Sequence, residues 1–347
     1  MRRLAALASP ALALLAGVAA GSLLILAWGE SPARVWALLL RTTWGNPYGF
    51  GQVLYKATSL VFCGLSVALA LRAGLFNIGC EGQIIVGSFL CAVVGARLDG
   101  FPAVAAVPLC LLAAAGGGAA MGALPGWLKA RTGAHEVIVT IMLNFVAQAA
   151  VITLGGYFFL RETIHTAPVA DSARLARLSA IVPALHGSAA NLAILLALAC
   201  AATVAWLLAR TRVGLELRAV GLAPRAAAAA GVRPVAVVVL AMALAGGLAG
   251  LVGANFVLGH KGYFEQSFTA GVGFWGIAVA LLARGHVAGI VAAALLLATL
   301  SQGALGIHAV IPKDVVDVLV AAILLAAACS DALARKALGT WAARRHS

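Results

Sequence analysis

Long apolar runs, interrupted by short polar or glycine-rich stretches, cover most of this chain. Runs of about 20 residues are long enough to cross a bilayer as helices. They fall at 4–28, 53–71, 81–98, 101–124, 135–155, 188–209, 234–258, 271–283, 287–305 and 315–329. The pattern predicts an all-α polytopic membrane protein with about ten transmembrane helices in a single transmembrane domain, 1–347. Its parts are a first helix with an external segment (1–52), a first half (53–155), an external loop (156–187), a second half (188–330) and a basic tail (331–347). Trp36, Trp44 and Tyr48 are placed for an interfacial aromatic belt. The mixed charges of 156–187 suit an external loop carrying a short surface helix, and Lys129 and Arg131 mark 125–134 as a basic cytoplasmic loop. The first run follows Arg2 and Arg3 but is too long for the apolar part of a signal peptide, so it reads as a retained helix.

The most informative interruption is residues 72–83, Arg-Ala-Gly-Leu-Phe-Asn-Ile-Gly-Cys-Glu-Gly-Gln. Irregular backbone at membrane depth persists only where it is buried in protein or lines a water-filled path. Broken helices in that setting often mark the route of a solute. An elbow between helices, with Gly74 as C-cap and Glu81 in the next first turn, accounts for the same residues without a solute. The glycine-rich segment 74–87 and a second one at 271–285, in the other half, read as glycine-interrupted half-repeats.

Polar or aromatic side chains on otherwise apolar runs are the candidates for a translocation path: Asn77, Glu81, Gln83, Asn144, Gln148, Asn255, Phe274 and Trp275. Asn144 and Gln148 stand one helical turn apart and share a face; hydrogen bonding to a neighbouring helix is the alternative role. Phe274 and Trp275 suit stacking on a flat base or packing at a membrane boundary.

Composition narrows the class. Of 347 residues, 63% are hydrophobic and 10% charged, far from the near-half and one-quarter shares of soluble domains, so a water-soluble fold is excluded. The net charge of +13 does not indicate nucleic acid, because the basic residues lie between apolar runs and at the chain ends. With both termini in the cytoplasm, fifteen of the twenty-four Lys and Arg residues fall inside, as the positive-inside bias requires. Six cysteines without paired or metal-type spacing read as small core residues, and the seven scattered histidines give no metal site. No nucleophile–base pair or paired-carboxylate arrangement supports an enzyme.

The longest inferred cytoplasmic connection is 210–233. Pro224 suits a first helical turn, an alanine run follows, and Gly231 suits a C-cap, which predicts a helix of about two turns, too short to be stable alone. Anionic lipid under its arginines or a docked cytoplasmic partner would each hold it.

Four segments carry a family resemblance: Gly-Leu-Phe-Asn-Ile-Gly-Cys-Glu-Gly-Gln (74–83), His-Glu-Val-Ile-Val-Thr-Ile-Met-Leu-Asn-Phe (135–145), Leu-Arg-Ala-Val-Gly-Leu-Ala-Pro-Arg-Ala (217–226) and Gly-Phe-Trp-Gly-Ile-Ala-Val-Ala-Leu-Leu-Ala (273–283). In this order they resemble the permease subunits of bacterial ABC importers of the simple-sugar and nucleoside branch, nearest the permeases linked to basic membrane lipoproteins. Cys80, where a small residue such as alanine is usual, and His135, where asparagine is common, depart from the pattern. The resemblance implies that Leu217, Arg218, Gly221, Pro224, Arg225 and Gly231 couple the chain to a cytoplasmic ABC ATPase. It further implies a second, unlike permease subunit (a homodimer is the alternative), an external solute-binding lipoprotein, a bacterial cytoplasmic membrane location and a nucleoside or related sugar-containing cargo. No Gly-x-x-x-x-Gly-Lys-[Ser/Thr] loop occurs, so ATP and Mg belong to a partner and this chain carries no cofactor. The competing expectation is an ion-coupled secondary transporter of a small polar solute, which needs an acidic or histidine relay deep within a span.

Overall fold

The computed structural model describes residues 2–308, 310–312, 315–316, 318–322 and 325, with side chains from residue 15 onward. The helices are α1 (Arg2–Ala27), α2 (Pro32–Thr43), α3 (Pro47–Arg72), α4 (Cys80–Gly95), α5 (Ala103–Thr132), α6 (Glu136–Phe158), α7 (Ala193–Arg210), α8 (Arg212–Leu222), α9 (Pro224–Ala229), α10 (Pro234–Gly250), α11 (Val272–Leu282) and α12 (Val287–Ile307). Beyond three isolated bridges, the described residues contain no strand.

Six helices among the described residues are long and apolar enough to cross a membrane, or seven if α1 and α2, bent by 117°, form one broken span. The sequence reading of about ten is thus not matched. Two of the difference are α4 and α11, with 16 and 11 residues. At 1.5 Å per residue they reach only about 24 and 16 Å, short of a hydrocarbon core of about 30 Å. Most of the tenth run and the tail 331–347 lie outside the described residues.

Other boundaries move for identifiable reasons. Residues 29–52, read as an external segment, contain α2, whose Val35, Leu39 and Thr43 are buried at a spacing of four. The basic loop expected at 125–134 is mostly the end of α5, which runs through a buried Pro125 and stops at Gly133 in the left-handed conformation. Membrane helices tolerate such prolines because neighbouring helices re-satisfy the freed carbonyl. The 156–187 loop holds three 3₁₀ turns (Asp171–Ala173, Leu178–Ala180 and Pro183–Leu185) in place of one surface α-helix. The connector 210–233 contains two helices, α8 and α9, where one was expected.

The chain forms two compact units, residues 51–296 and residues 1–50 with 297–347. In the terminal unit α2 packs on the last turns of α12. A Cβ on Gly303 or Gly306 would lie 2.3 Å from Leu39 or Thr42, so only glycine permits this approach. Trp44 Nε1 donates to Thr299 Oγ1 at 3.2 Å in the same unit.

In the larger unit α4 is the central element, contacting α5, α6, α10 and α11. Twelve of its residues are buried, including Glu81, Gln83 and Ser88, so it is enclosed on nearly every side. Beside it α5 and α10 approach through glycine faces, as small residues allow in membrane helices. At the C-terminal half of α4, the buried Phe89 and Phe264 and the partly buried Phe158, Phe159 and Phe268 form an aromatic cluster with ring centroids 5.3–6.4 Å apart.

Candidate functional site

Between Arg72 and Cys80 the chain makes no regular structure after a tight turn. Gly74 sits there at φ +72°. The turn is needed because α4 starts away from the end of α3, and the intervening backbone must find partners inside the protein. Asn77, fully buried, supplies several. Its Oδ1 accepts from the Gly79 N–H at 3.1 Å and from Gln83 Nε2 at 3.0 Å. Its Nδ2 donates to Gln83 Oε1 at 2.9 Å and to Ser66 Oγ at 3.3 Å. Asn77 and Gln83 thus form a reciprocal amide pair that closes the irregular stretch onto the first turn of α4.

Asn144 on α6 completes that turn. Its Nδ2 donates to the Ile78 carbonyl at 3.0 Å, and its Oδ1 accepts from the Gly82 N–H at 2.9 Å. The Gly79 and Gly82 N–H groups and the Ile78 carbonyl are therefore held by side chains. Glu81 reaches the other short helix: Oε1 accepts from Gly271 N at 3.0 Å and Oε2 from Gly273 N at 2.8 Å. A Cβ on Gly273 would stand 2.5 Å from the Glu81 backbone nitrogen, so this contact requires glycine.

The structure therefore brings Asn77, Glu81, Gln83 and Asn144 into one assembly at the starts of α4 and α11. It leaves the other path candidates outside that network. Gln148 is exposed on α6, Phe274 is exposed on α11, and Trp275 is half-buried. Asn255 lies apart, in a π-helical segment (Ala254–Lys261), donating to Tyr55 O at 2.9 Å and Ser59 Oγ at 2.8 Å while Asn191 donates to its Oδ1 at 2.9 Å. Sequence reasoning missed Ser66, Asn191 and the donors at Gly271 and Gly273. A serine on an apolar run and the Gly-Val-Gly of 271–273 were the available signals. A cleft of about 240 Å³ beside Arg97 and Tyr157 lies near the opposite end of α4 and takes no part in this network.

The connector residues divide by exposure. Leu217 is fully buried and Val220 nearly so, whereas Pro224, Arg225 and Gly231 are exposed and Arg218 is half-buried. Thr211 caps α8 by accepting from the Gly214 N–H at 3.1 Å. The end of α8 touches the turn after α3: a Cβ on Gly221 would lie 2.3 Å from the Arg72 carbonyl oxygen, and one on Gly74 would lie 3.1 Å from the Gly221 oxygen. Arg72 in turn donates through Nη2 to the Gly285 carbonyl, in the tight turn that links α11 to α12. On the neighbouring turn Lys129 pairs with the buried Glu136. A continuous set of contacts thus runs from α8 through the Arg72–Gly74 turn to the C-terminal end of α11.

Residues 49–328 match the family described as branched-chain amino acid transport system / permease component. The chain is 39% identical to the guanosine ABC transporter permease protein NupP of Bacillus subtilis, over 96% of each. It is 32% identical to the nucleoside ABC transporter permease protein NupB of Lactococcus lactis, over 91% of this chain and 88% of that one. It is 31% identical to the glucose ABC transporter permease protein TsgB13 of Haloferax volcanii, over 95% and 89%. Each of these organisms has a second matching permease, at 26–29% identity over 66–71% of this chain. No solved structure matches.

Proposed function

This chain belongs to the branched-chain amino acid transport system / permease component family, and from that premise we propose that it forms the membrane path of an importer for a nucleoside or related sugar-containing solute. Its relatives are permease proteins of ABC transporters, and in our reading ATP is hydrolysed by a separate cytoplasmic subunit that binds ATP and Mg. The observation that carries the reading is the two-faced connector. One face of α8–α9 is buried through Leu217, Val220 and Ala227; the other exposes Leu222, Pro224 and Arg225. A short helical pair with an apolar residue 88% exposed beside an exposed arginine suits a partner protein, and the ABC ATPase is the occupant we assign.

This assignment puts α8–α9 in the cytoplasm, together with the turns at Gly74 and Gly285, and makes the membrane the bacterial cytoplasmic one. It also treats the 74–87 and 271–285 segments as corresponding parts of two half-repeats. The cargo-contacting role goes to Gln148, Phe274 and Trp275, with Asn77, Glu81, Gln83 and Asn144 as the frame. An exposed amide on an apolar membrane helix is costly against lipid. A second permease facing Gln148 across the path keeps it from lipid, and the pairs of matching permeases in three organisms support an unlike partner. An external solute-binding lipoprotein would deliver the cargo. The ion-coupled alternative finds no support in the buried carboxylates of the described residues: Glu81 is committed to two backbone N–H groups and Glu136 to Lys129.

Arg225→Glu tests the docking surface. The side chain is exposed, so the variant is expected at wild-type abundance in the membrane. A reversed charge at an interface opposes association, and ATP-dependent uptake should fall about tenfold or more. Uptake equal to wild type in vesicles containing the complete transporter would remove the ATPase from this face.

A further inference from the structure

The N-termini of two short helices meet inside the larger unit, and each has the free N–H groups and positive dipole end that attract an anion. In membrane transporters such helix ends commonly hold the anionic group of a cargo. Here the chain itself supplies acceptors at both ends. At the start of α4, Asn77 Oδ1 takes the Gly79 N–H and Asn144 Oδ1 takes the Gly82 N–H. At the start of α11, Glu81 takes two N–H groups, one on each carboxylate oxygen. Glu81 is 9% exposed, and no cationic side chain pairs with it among the described ion pairs. Its negative charge is therefore balanced by the α11 backbone, and the α11 end by Glu81. Gly271 supplies the left-handed backbone, at φ +81°, and Gly273 brings that backbone within reach where a side chain would block it.

We propose that Glu81 is a built-in anion that fixes α11 to α4 and occupies the position an anionic cargo would otherwise take, which makes the path selective for solutes without a carboxylate or phosphate. Glu81 is thus a positioning and specificity residue, not a cargo contact. The selectivity arm rests on the permease reading; the positioning arm does not.

The test is chemical rescue. Glu81→Ala removes the carboxylate but leaves both N–H donors, and free formate then fits where the side chain ended. In purified detergent-solubilised protein, formate should raise the melting temperature of Glu81→Ala and leave that of the wild type unchanged. In proteoliposomes holding the complete transporter, Glu81→Ala should lose about tenfold or more of its nucleoside uptake, since charge-assisted buried bonds are lost, and formate should restore part of it. Chloride at the same concentration should do neither. Glu81→Gln keeps the volume and one acceptor oxygen but presents an NH₂ group to the second donor. It should insert normally and still lose most uptake, so the proposal remains testable if Glu81→Ala does not accumulate. Wild-type behaviour of Glu81→Gln, or a Glu81→Ala that formate neither stabilises nor reactivates, would overturn the proposal. Formate stabilisation of Glu81→Ala as described, in a transporter whose wild type carries no nucleoside, would overturn only the cargo assignment above.

Discussion

Gly246→Leu should remove the folded protein from the membrane. Gly246 faces Gly118 at the closest approach of α5 and α10. A Cβ there would lie 2.1 Å from the Gly118 carbonyl oxygen and 3.0 Å from Gly122 Cα, and a Cβ on Gly118 would lie 2.2 Å from the Gly246 oxygen. The atoms in the way are backbone on both helices, so no side chain can rotate aside. Small residues at this spacing let membrane helices approach closely enough for dispersion to hold them, and forcing leucine between them separates the pair. Overpacking commonly costs about 1–3 kcal/mol, and a backbone clash belongs at or above the upper end. Gly116→Leu, on the partner helix α5 but facing open space, is the control and should accumulate normally. Membrane abundance and monodispersity after extraction measure the difference; equal abundance of the two variants would contradict this packing.

Gly221→Leu should leave the protein in the membrane and abolish ATP-dependent uptake. Its Cβ would strike the Arg72 carbonyl at 2.3 Å and the Ala73–Gly74 backbone at 2.9 Å, so α8 must lift from the turn. The clash differs from that at Gly246 because α8 is peripheral: its neighbours are α7, α9 and α10, and Leu222 beside it is 88% exposed. Displacing such an element should reduce abundance by no more than about twofold, as for surface positions. In the proposed coupling, α8 is linked to the turn after α11 through the same contacts, since Arg72 donates to the Gly285 carbonyl. Gly221→Ala adds the offending atom without the rest of the side chain and should be intermediate. Full uptake by Gly221→Leu would show that the turn does not carry motion from α8.

The apolar pattern located the long helices well where their ends coincide with caps or polar residues. The run 287–305 is α12 (Val287–Ile307), 135–155 is α6 (Glu136–Phe158), and the short helix after Pro224 is α9. It failed where apolarity and length part company. α4 and α11 sit in apolar runs yet have only 16 and 11 helical residues, so an apolar run there does not mean a full crossing. α2 and α8 carry Arg34, Arg41, Arg212, Glu216 and Arg218, so their narrow buried stripes were hidden within polar segments. Pro125 suggested a helix end that neighbouring helices override. In the site, Asn77, Glu81, Gln83 and Asn144 were visible as polar residues out of place. Their partners were not: Glu81 and Gly271 stand 190 residues apart, and no local periodicity reports such a pairing.

Reconstitution decides the central claim, that this chain is a path moved by an engine on another subunit. The permease and its partner permease are placed in liposomes with the solute-binding protein, with and without the ABC ATPase, and accumulation of labelled nucleoside is followed. Accumulation should require both the ATPase and ATP. Uphill accumulation without that subunit would contradict the account.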